Sequence, residues 1–202
     1  MAPTIVFVPG LRDHVADHWQ TLLAAELPGS RTVPPLTENG LSLAARVAAL
    51  EATLAQVEGP VILVAHSAGV MIVVHWAQLA TGKAASREIA GALLATPPDI
   101  ASALPAGYPT LEALDDGGWR PIPRARLPFP SLVAVSSNDP LAARERAVGM
   151  ARDWGSEIVD LGEVGHLNPA SGFGPWPKGR ELIASLTQAA DVASATAPSE
   201  NS

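Results

Sequence analysis

Short runs of uninterrupted apolar residues alternate along this chain with longer stretches in which apolar positions recur every three or four residues. The short runs Thr4–Val8, Val61–Ala65, Ile89–Ala95, Leu132–Ser136 and Ile158–Leu161 predict strands. Arg31–Val33 is a weaker sixth strand, which Pro34-Pro35 confines to a sheet edge because proline cannot donate to a ladder. Between them, Ser42–Val57 sets Leu43, Val47, Leu50, Leu54 and Val57 on one helical face. Asp17–Leu27, with Asp17 as N-cap and Pro28-Gly29 as its stop, Ala68–Leu79, Ala142–Trp154 and Lys178–Ala190 are the other predicted helices. Strands apolar on both faces must be covered on both sides, and helices between consecutive strands supply right-handed crossovers. The pattern predicts an α/β fold, a three-layer, doubly wound, mostly parallel six-stranded sheet.

Two segments fall outside the alternation. Residues 96–130 hold eight of the nineteen prolines and read as a long irregular insertion, a candidate lid. Residues 192–202 are small and polar and read as a disordered tail, which leaves one domain over residues 1–191. At 48% hydrophobic and 16% charged, the chain is too apolar for a disordered or coiled-coil protein. Thirteen basic residues against twenty acidic ones, a net charge of −7, argue against nucleic acid as a partner, which would call for a basic stripe. No apolar run approaches the roughly 18 residues of a membrane span, and no leader pattern precedes the first strand. No membrane partner and a cytoplasmic location are therefore expected. With no cysteine in the sequence, disulfides, thiolate metal sites and a cysteine nucleophile are excluded.

The strongest chemical signal is Val61-Ile62-Leu63-Val64-Ala65-His66-Ser67-Ala68-Gly69. A buried strand runs through a sharp turn of small residues into an apolar helix, the setting in which G-x-S-x-G exposes a nucleophilic serine above a sheet. Ala65 stands in place of the first glycine. The competing reading is a serine that ends a strand and caps a helix. A serine nucleophile needs a base and an orienting carboxylate, which follow in the order acid, then histidine, each past the carboxyl end of a strand. Asp139, in Ser136-Ser137-Asn138-Asp139-Pro140, and His166, in Gly162-Glu163-Val164-Gly165-His166, occupy those places. Taken singly, Asp139 also fits a turn residue before proline, and His166 a surface-loop histidine. Oxyanion donors are expected from the backbone N–H groups of Ala68 and Leu11, with Gly10 allowing close approach. The site should lie between the Thr4–Val8 and Val61–Ala65 strands, where strand order reverses.

These residues resemble the small α/β-hydrolase family of serine hydrolases that includes the retinoblastoma-binding-protein-like and bacterial YdeN-type proteins. The matching segments are Val8-Pro9-Gly10-Leu11 with His18-Trp19-Gln20, the Ser67 turn, Ser136-Ser137-Asn138-Asp139-Pro140, and Gly165-His166-Leu167-Asn168-Pro169-Ala170-Ser171-Gly172-Phe173-Gly174-Pro175-Trp176-Pro177. The resemblance covers roughly residues 4 to 190 and implies a minimal α/β-hydrolase fold with Ser67, Asp139 and His166 as a catalytic triad. Arg12-Asp13-His14 departs from the small, glycine-rich continuation usual after Pro-Gly. The family's L-x-C-x-E partner motif is absent, so the resemblance implies nothing about protein partners.

His14 and His18, four residues apart, raise a zinc site as the rival, but no H-E-x-x-H glutamate lies between them and no metal is expected. No glycine-rich phosphate cradle is present, and no cofactor is expected. His66 reads as packing for the turn and a candidate pocket residue, His75 as structural, and Trp19, Trp76, Trp154 and Trp176 as core anchors. Trp119, inside the proline-rich insertion, is a candidate pocket wall. With Tyr108, Leu111 and Leu114 it predicts a shallow wall suited to short acyl groups. The function expected is hydrolysis of carboxylic esters, thioesters or amides through an acyl-enzyme on Ser67, with a small-molecule acyl substrate. The alternative is a non-catalytic interaction module built on a hydrolase fold.

Overall fold

The computed structural model describes residues 2–79 and 88–196, the side chains of 193–196 excepted. In chain order the elements are β1 (Thr4–Val8), α1 (Trp19–Glu26), β2 (Arg31–Thr32), α2 (Leu43–Leu54), β3 (Val61–His66), α3 (Ala68–Leu79), β4 (Ile89–Ala95), α4 (Leu111–Asp116), β5 (Ser131–Val135), α5 (Arg144–Trp154), β6 (Glu157–Asp160) and α6 (Pro177–Thr196). Among the described residues, six strands form one sheet in the order β2-β1-β3-β4-β5-β6, every neighbouring pair parallel. The two-residue β2 lies at the sheet edge, as the prolines after it require.

Strand alternation sorts the core into two layers. On one face Val6, Val8, Leu63, Ala65, Leu94 and Val133 pack against α2, α3, α5 and parts of the 96–130 segment. On the other, Phe7, Ile62, Val64, Leu93 and Ala134 meet Trp19 and Leu23 of α1 and Leu182, Ile183 and Leu186 of α6. All five tryptophans are buried. No helix of the described residues is long and apolar enough to cross a membrane.

Three expectations change. Helix α1 begins at Trp19, and its N-cap is His18, not Asp17. A turn closed by the His18 N–H on the Val15 carbonyl, 3.1 Å, leaves Asp17 exposed and sets the His18 ring over the first free amide. Helix α6 runs to Thr196, five residues into the segment read as a disordered tail, because its alanines propagate an existing helix at little cost. The remainder of that segment, 197–202, lies outside the described residues. Within 96–130 the chain is irregular except for α4, which Thr110 caps through the Ala113 N–H at 3.2 Å.

The switch in strand order falls between β1 and β3, and Gly69 shows how tightly they close on it. A Cβ at Gly69 would lie 2.1 Å from the Val8 carbonyl oxygen and 2.9 Å from that of Pro9, both backbone atoms that cannot swing away. Gly69→Ala is therefore expected to cost about 2–4 kcal/mol through overpacking. Urea unfolding of the variant against the parent checks this, and an unchanged midpoint would contradict it.

Candidate active site

Ser67 is the single residue between β3 and α3, and its φ is +56°. A non-glycine residue in this left-handed region stores roughly 1–3 kcal/mol and persists only where its surroundings hold it. Here the Ser67 N–H donates to the Ala95 carbonyl at 3.0 Å, and its own carbonyl accepts from the Val70 N–H at 2.9 Å. The turn is thus tied to β4 on one side and to α3 on the other.

Asp139 and His166 converge on it from the ends of β5 and β6. The Ser67 hydroxyl lies 2.8 Å from His166 Nε2. His166 Nδ1 lies 2.9 and 3.0 Å from the two Asp139 carboxylate oxygens. The His166 and Asp139 side chains are only 4% and 3% exposed. Asp139 is fixed in turn by the Leu141 N–H, which donates to Oδ1 at 2.8 Å. With a carboxylate on Nδ1–H, the lone pair of His166 is on Nε2 and faces the serine hydroxyl.

Neighbouring groups hold His166 in this pose. The Gly165 N–H donates to Asn138 Oδ1 at 2.6 Å, tying the histidine loop to the acid loop. The His166 N–H donates to Ser171 Oγ at 3.1 Å. Beneath it, His66 Nε2 donates to the His166 carbonyl at 2.9 Å. Burial first, then the nearby His166 and His18 rings, push the His66 pKa well below its ordinary 6.5, so His66 is a neutral brace.

The loop after β1 forms the opposite wall. A Cβ on Gly10 would come within 3.2 Å of Ser67 Cβ and 3.6 Å of its hydroxyl oxygen, so a side chain here would crowd the serine that glycine lets the loop approach. The N–H groups of Leu11 and Ala68 have no acceptor among the described residues, and both residues border the cavity above Ser67. The unusual Arg12-Asp13-His14 continuation is ordered by Arg46 of α2. Its guanidinium pairs with Asp13 at 2.8 Å, donates to the Gly40 carbonyl at 2.7 Å and reaches the Leu11 carbonyl at 3.4 Å. Arg46 is 5% exposed.

The cavity measures about 490 Å³. Gly10, Leu11, His66, Ser67, Ala68, Trp119 and His166 all border it, while Asp139 lies behind His166, outside it. The insertion contributes Ile100, Leu104, Tyr108, Leu114 and Trp119 to its wall. Leu111 packs against the core instead. His14 is exposed and precedes α1, whereas His18 is buried, so the two do not share a helical face. His75 Nε2 donates to the Trp119 carbonyl at 3.1 Å.

Arg46, Asn138, Ser171 and Gln20 were not singled out from sequence. Arg46 carried a signal, as a charge three residues after Leu43 on the apolar stripe of α2. Gln20, Asn138 and Ser171 lie inside the family-matching segments, but their individual contacts, Asn138 with Gly165 and Ser171 with His166 among them, appear only in the folded chain.

The serine hydrolase family model matches residues 5–185. No protein with a curated description matches the chain. Among solved structures, a YdeN-like hydrolase from Pectobacterium atrosepticum is 32% identical, covering 94% of this chain and 92% of its own, with a TM-score of 0.76. The ydeN gene product of B. subtilis is 17% identical over 92% of this chain and 99% of its own, TM-score 0.71. The esterase domain of a Rhodothermus marinus protein is 19% identical over 93% and 88%, TM-score 0.62. The last two establish likeness of fold.

Burial also lowers the pKa of His75 and, together with His166, takes His18 down to about 4. As pH falls through 6.5, the unfolded chain binds protons that these three folded imidazoles refuse. Stability then drops with pH, because the unfolded state carries more protons. The carboxylates with lowered values, Asp99 and Asp160, start from 3.8 and act below this window. The urea midpoint should therefore be lower at pH 5 than at pH 7, and an equal or higher one would contradict the assignment.

Proposed function

Because the chain belongs to the serine hydrolase family, we propose that it hydrolyses carboxylic esters, thioesters or amides through an acyl-enzyme formed on Ser67. The hydrogen-bonded series Ser67–His166–Asp139, at 2.8 and 2.9 Å, opening into a largely apolar-walled cavity, carries this reading. Ser67 Oγ attacks the acyl carbon while His166 Nε2 takes its proton. The charge that develops on the carbonyl oxygen is received by the N–H groups of Leu11 and Ala68, near the positive end of α3. His166 returns the proton to the leaving group, which departs. Water then attacks the acyl-enzyme with the same base, and the acid product is released as Ser67 recovers its proton. Asp139 keeps the imidazole in the tautomer that this sequence needs. Each group required is a side chain or backbone amide of this chain, so no cofactor is invoked.

The cavity supports a small-molecule substrate with an extended acyl group. If each methylene takes about the 30 Å³ that a water occupies in the liquid, an acyl group of about eight carbons fills about 240 Å³. That leaves space for a leaving group within the 490 Å³ available. Leu11, Leu41, Leu104, Leu114 and Trp119 supply the apolar lining.

Ser67→Ala is expected to lower ester turnover by about 10⁵-fold or more and to abolish covalent labelling by a fluorophosphonate. Folded Ser67→Ala protein with near-parental turnover would refute the nucleophile, and unlabelled parent protein would favour the interaction-module alternative. Asp139→Asn should cost about 10⁴-fold in kcat. On p-nitrophenyl esters the rate should peak between about six and ten carbons, and a maximum at acetate would contradict the reading of the cavity.

A further inference from the structure

The mechanism leaves one side-chain donor at the cavity unused. His18 is 9% exposed and borders the same cavity as Ser67 and His166. Its Nδ1 accepts the Gln20 N–H at 3.2 Å, the capping bond of α1. A neutral imidazole whose Nδ1 is an acceptor carries its proton on Nε2. Burial and His166 hold the ring neutral down to about pH 4. No acceptor for this Nε2–H occurs among the described residues, and since His18 borders the cavity the proton is available to a bound ligand.

We propose that His18 is a specificity-determining residue whose Nε2–H binds a hydroxyl on the alcohol half of the substrate. On this proposal, which rests on the serine mechanism above, monoesters of diols and polyols are preferred over esters of plain alcohols. Position favours the alcohol half. The His18 ring lies 4.6 Å from that of His66, which lies 5.0 Å from that of His166. His18 thus stands at the His166 end, where the departing oxygen takes its proton, while the apolar lining from Leu41, Leu114 and Trp119 suits the acyl chain. The choice of hydroxyl follows from Gln20. Its amide nitrogen donates to the Val8 and Val64 carbonyls at 3.3 and 3.0 Å, using both hydrogens and leaving Oε1 without a protein donor in a residue that also borders the cavity. A donor and an acceptor bordering the same cavity match a group that both accepts and donates.

The test compares 2-hydroxyethyl octanoate with propyl octanoate, which differ by a hydroxyl in place of a methyl. Parent enzyme should favour the hydroxyethyl ester in kcat/KM by about tenfold or more, as sites built to bind a hydroxyl discriminate at least this well. His18→Asn retains an acceptor for the Gln20 N–H, since asparagine is a good N-cap, but reaches no further than Nδ1. In it the ratio should collapse to within about twofold. A purely structural role would slow both esters alike and leave the ratio intact. His18→Gln, which can place an N–H near the former Nε2, should recover part of the preference. Equal rates in the parent enzyme, or an undiminished ratio in folded His18→Asn, would overturn the proposal. Fluorophosphonate labelling of Ser67 separates the two readings: with labelling intact, equal rates count against His18 alone, whereas absence of both labelling and turnover counts against the serine mechanism as well.

Discussion

The parallel pairing of β1 with β3 puts Val8 level with Ala65, and the site depends on what this forces on the chain beyond. Both strands end at the same height, so Pro9-Gly10 must pass beside His66-Ser67 at van der Waals distance. A Cβ on Gly10 would stand 3.2 Å from Ser67 Cβ, and one on Gly69 would collide with the Val8 carbonyl. The close approach has two consequences. It holds Ser67 in its left-handed conformation, φ +56°, and it brings Leu11 and Ala68 to the same cavity as Ser67. The placement of Ser67 and of the loop that faces it therefore follows from one packing constraint.

Around that fixed point the loops are locked to one another more than to the sheet. Asn138 joins the acid loop to the histidine loop, and Arg46 ties the loop after β1 to α2. Among the bonds that anchor the insertion, Trp119 Nε1 donates to the Leu41 carbonyl at 2.7 Å, His75 holds the Trp119 carbonyl, and Asp99 pairs with Arg146 at 2.9 Å. Arg46 is buried and Asp13 half-buried, so removing Asp13 would leave a buried charge without its carboxylate partner and destabilise the loop. The cavity wall is thus part of the framework.

Three histidines meet at the site, with roles separated by which ring nitrogen is engaged. His166 has a carboxylate on Nδ1 and presents a basic Nε2 to Ser67. His66 has a carbonyl on Nε2 and braces the backbone of His166. His18 has an amide on Nδ1 and keeps its proton on Nε2. Burial denies charge to His66 and His18, so both rings are neutral near neutral pH.

Periodicity and local chemistry determined the strands, most helix spans and the sheet class, because runs buried on both faces admit few other arrangements. The turn at Ser67 and the strand-end positions of Asp139 and His166 were legible for the same reason: each depends on residues adjacent in sequence. Only the tertiary structure decided what depends on distance through space. It capped α1 with His18 rather than Asp17, because a turn from Val15 rotates the ring over the first free amide. It carried α6 past residue 191, where small polar composition alone reads as tail. It gave Arg46, Asn138 and Ser171 their tasks and turned a proline-rich segment into the wall of a cavity of about 490 Å³. These outcomes follow from which loops the parallel sheet brings to one edge, and no window of neighbouring residues records that.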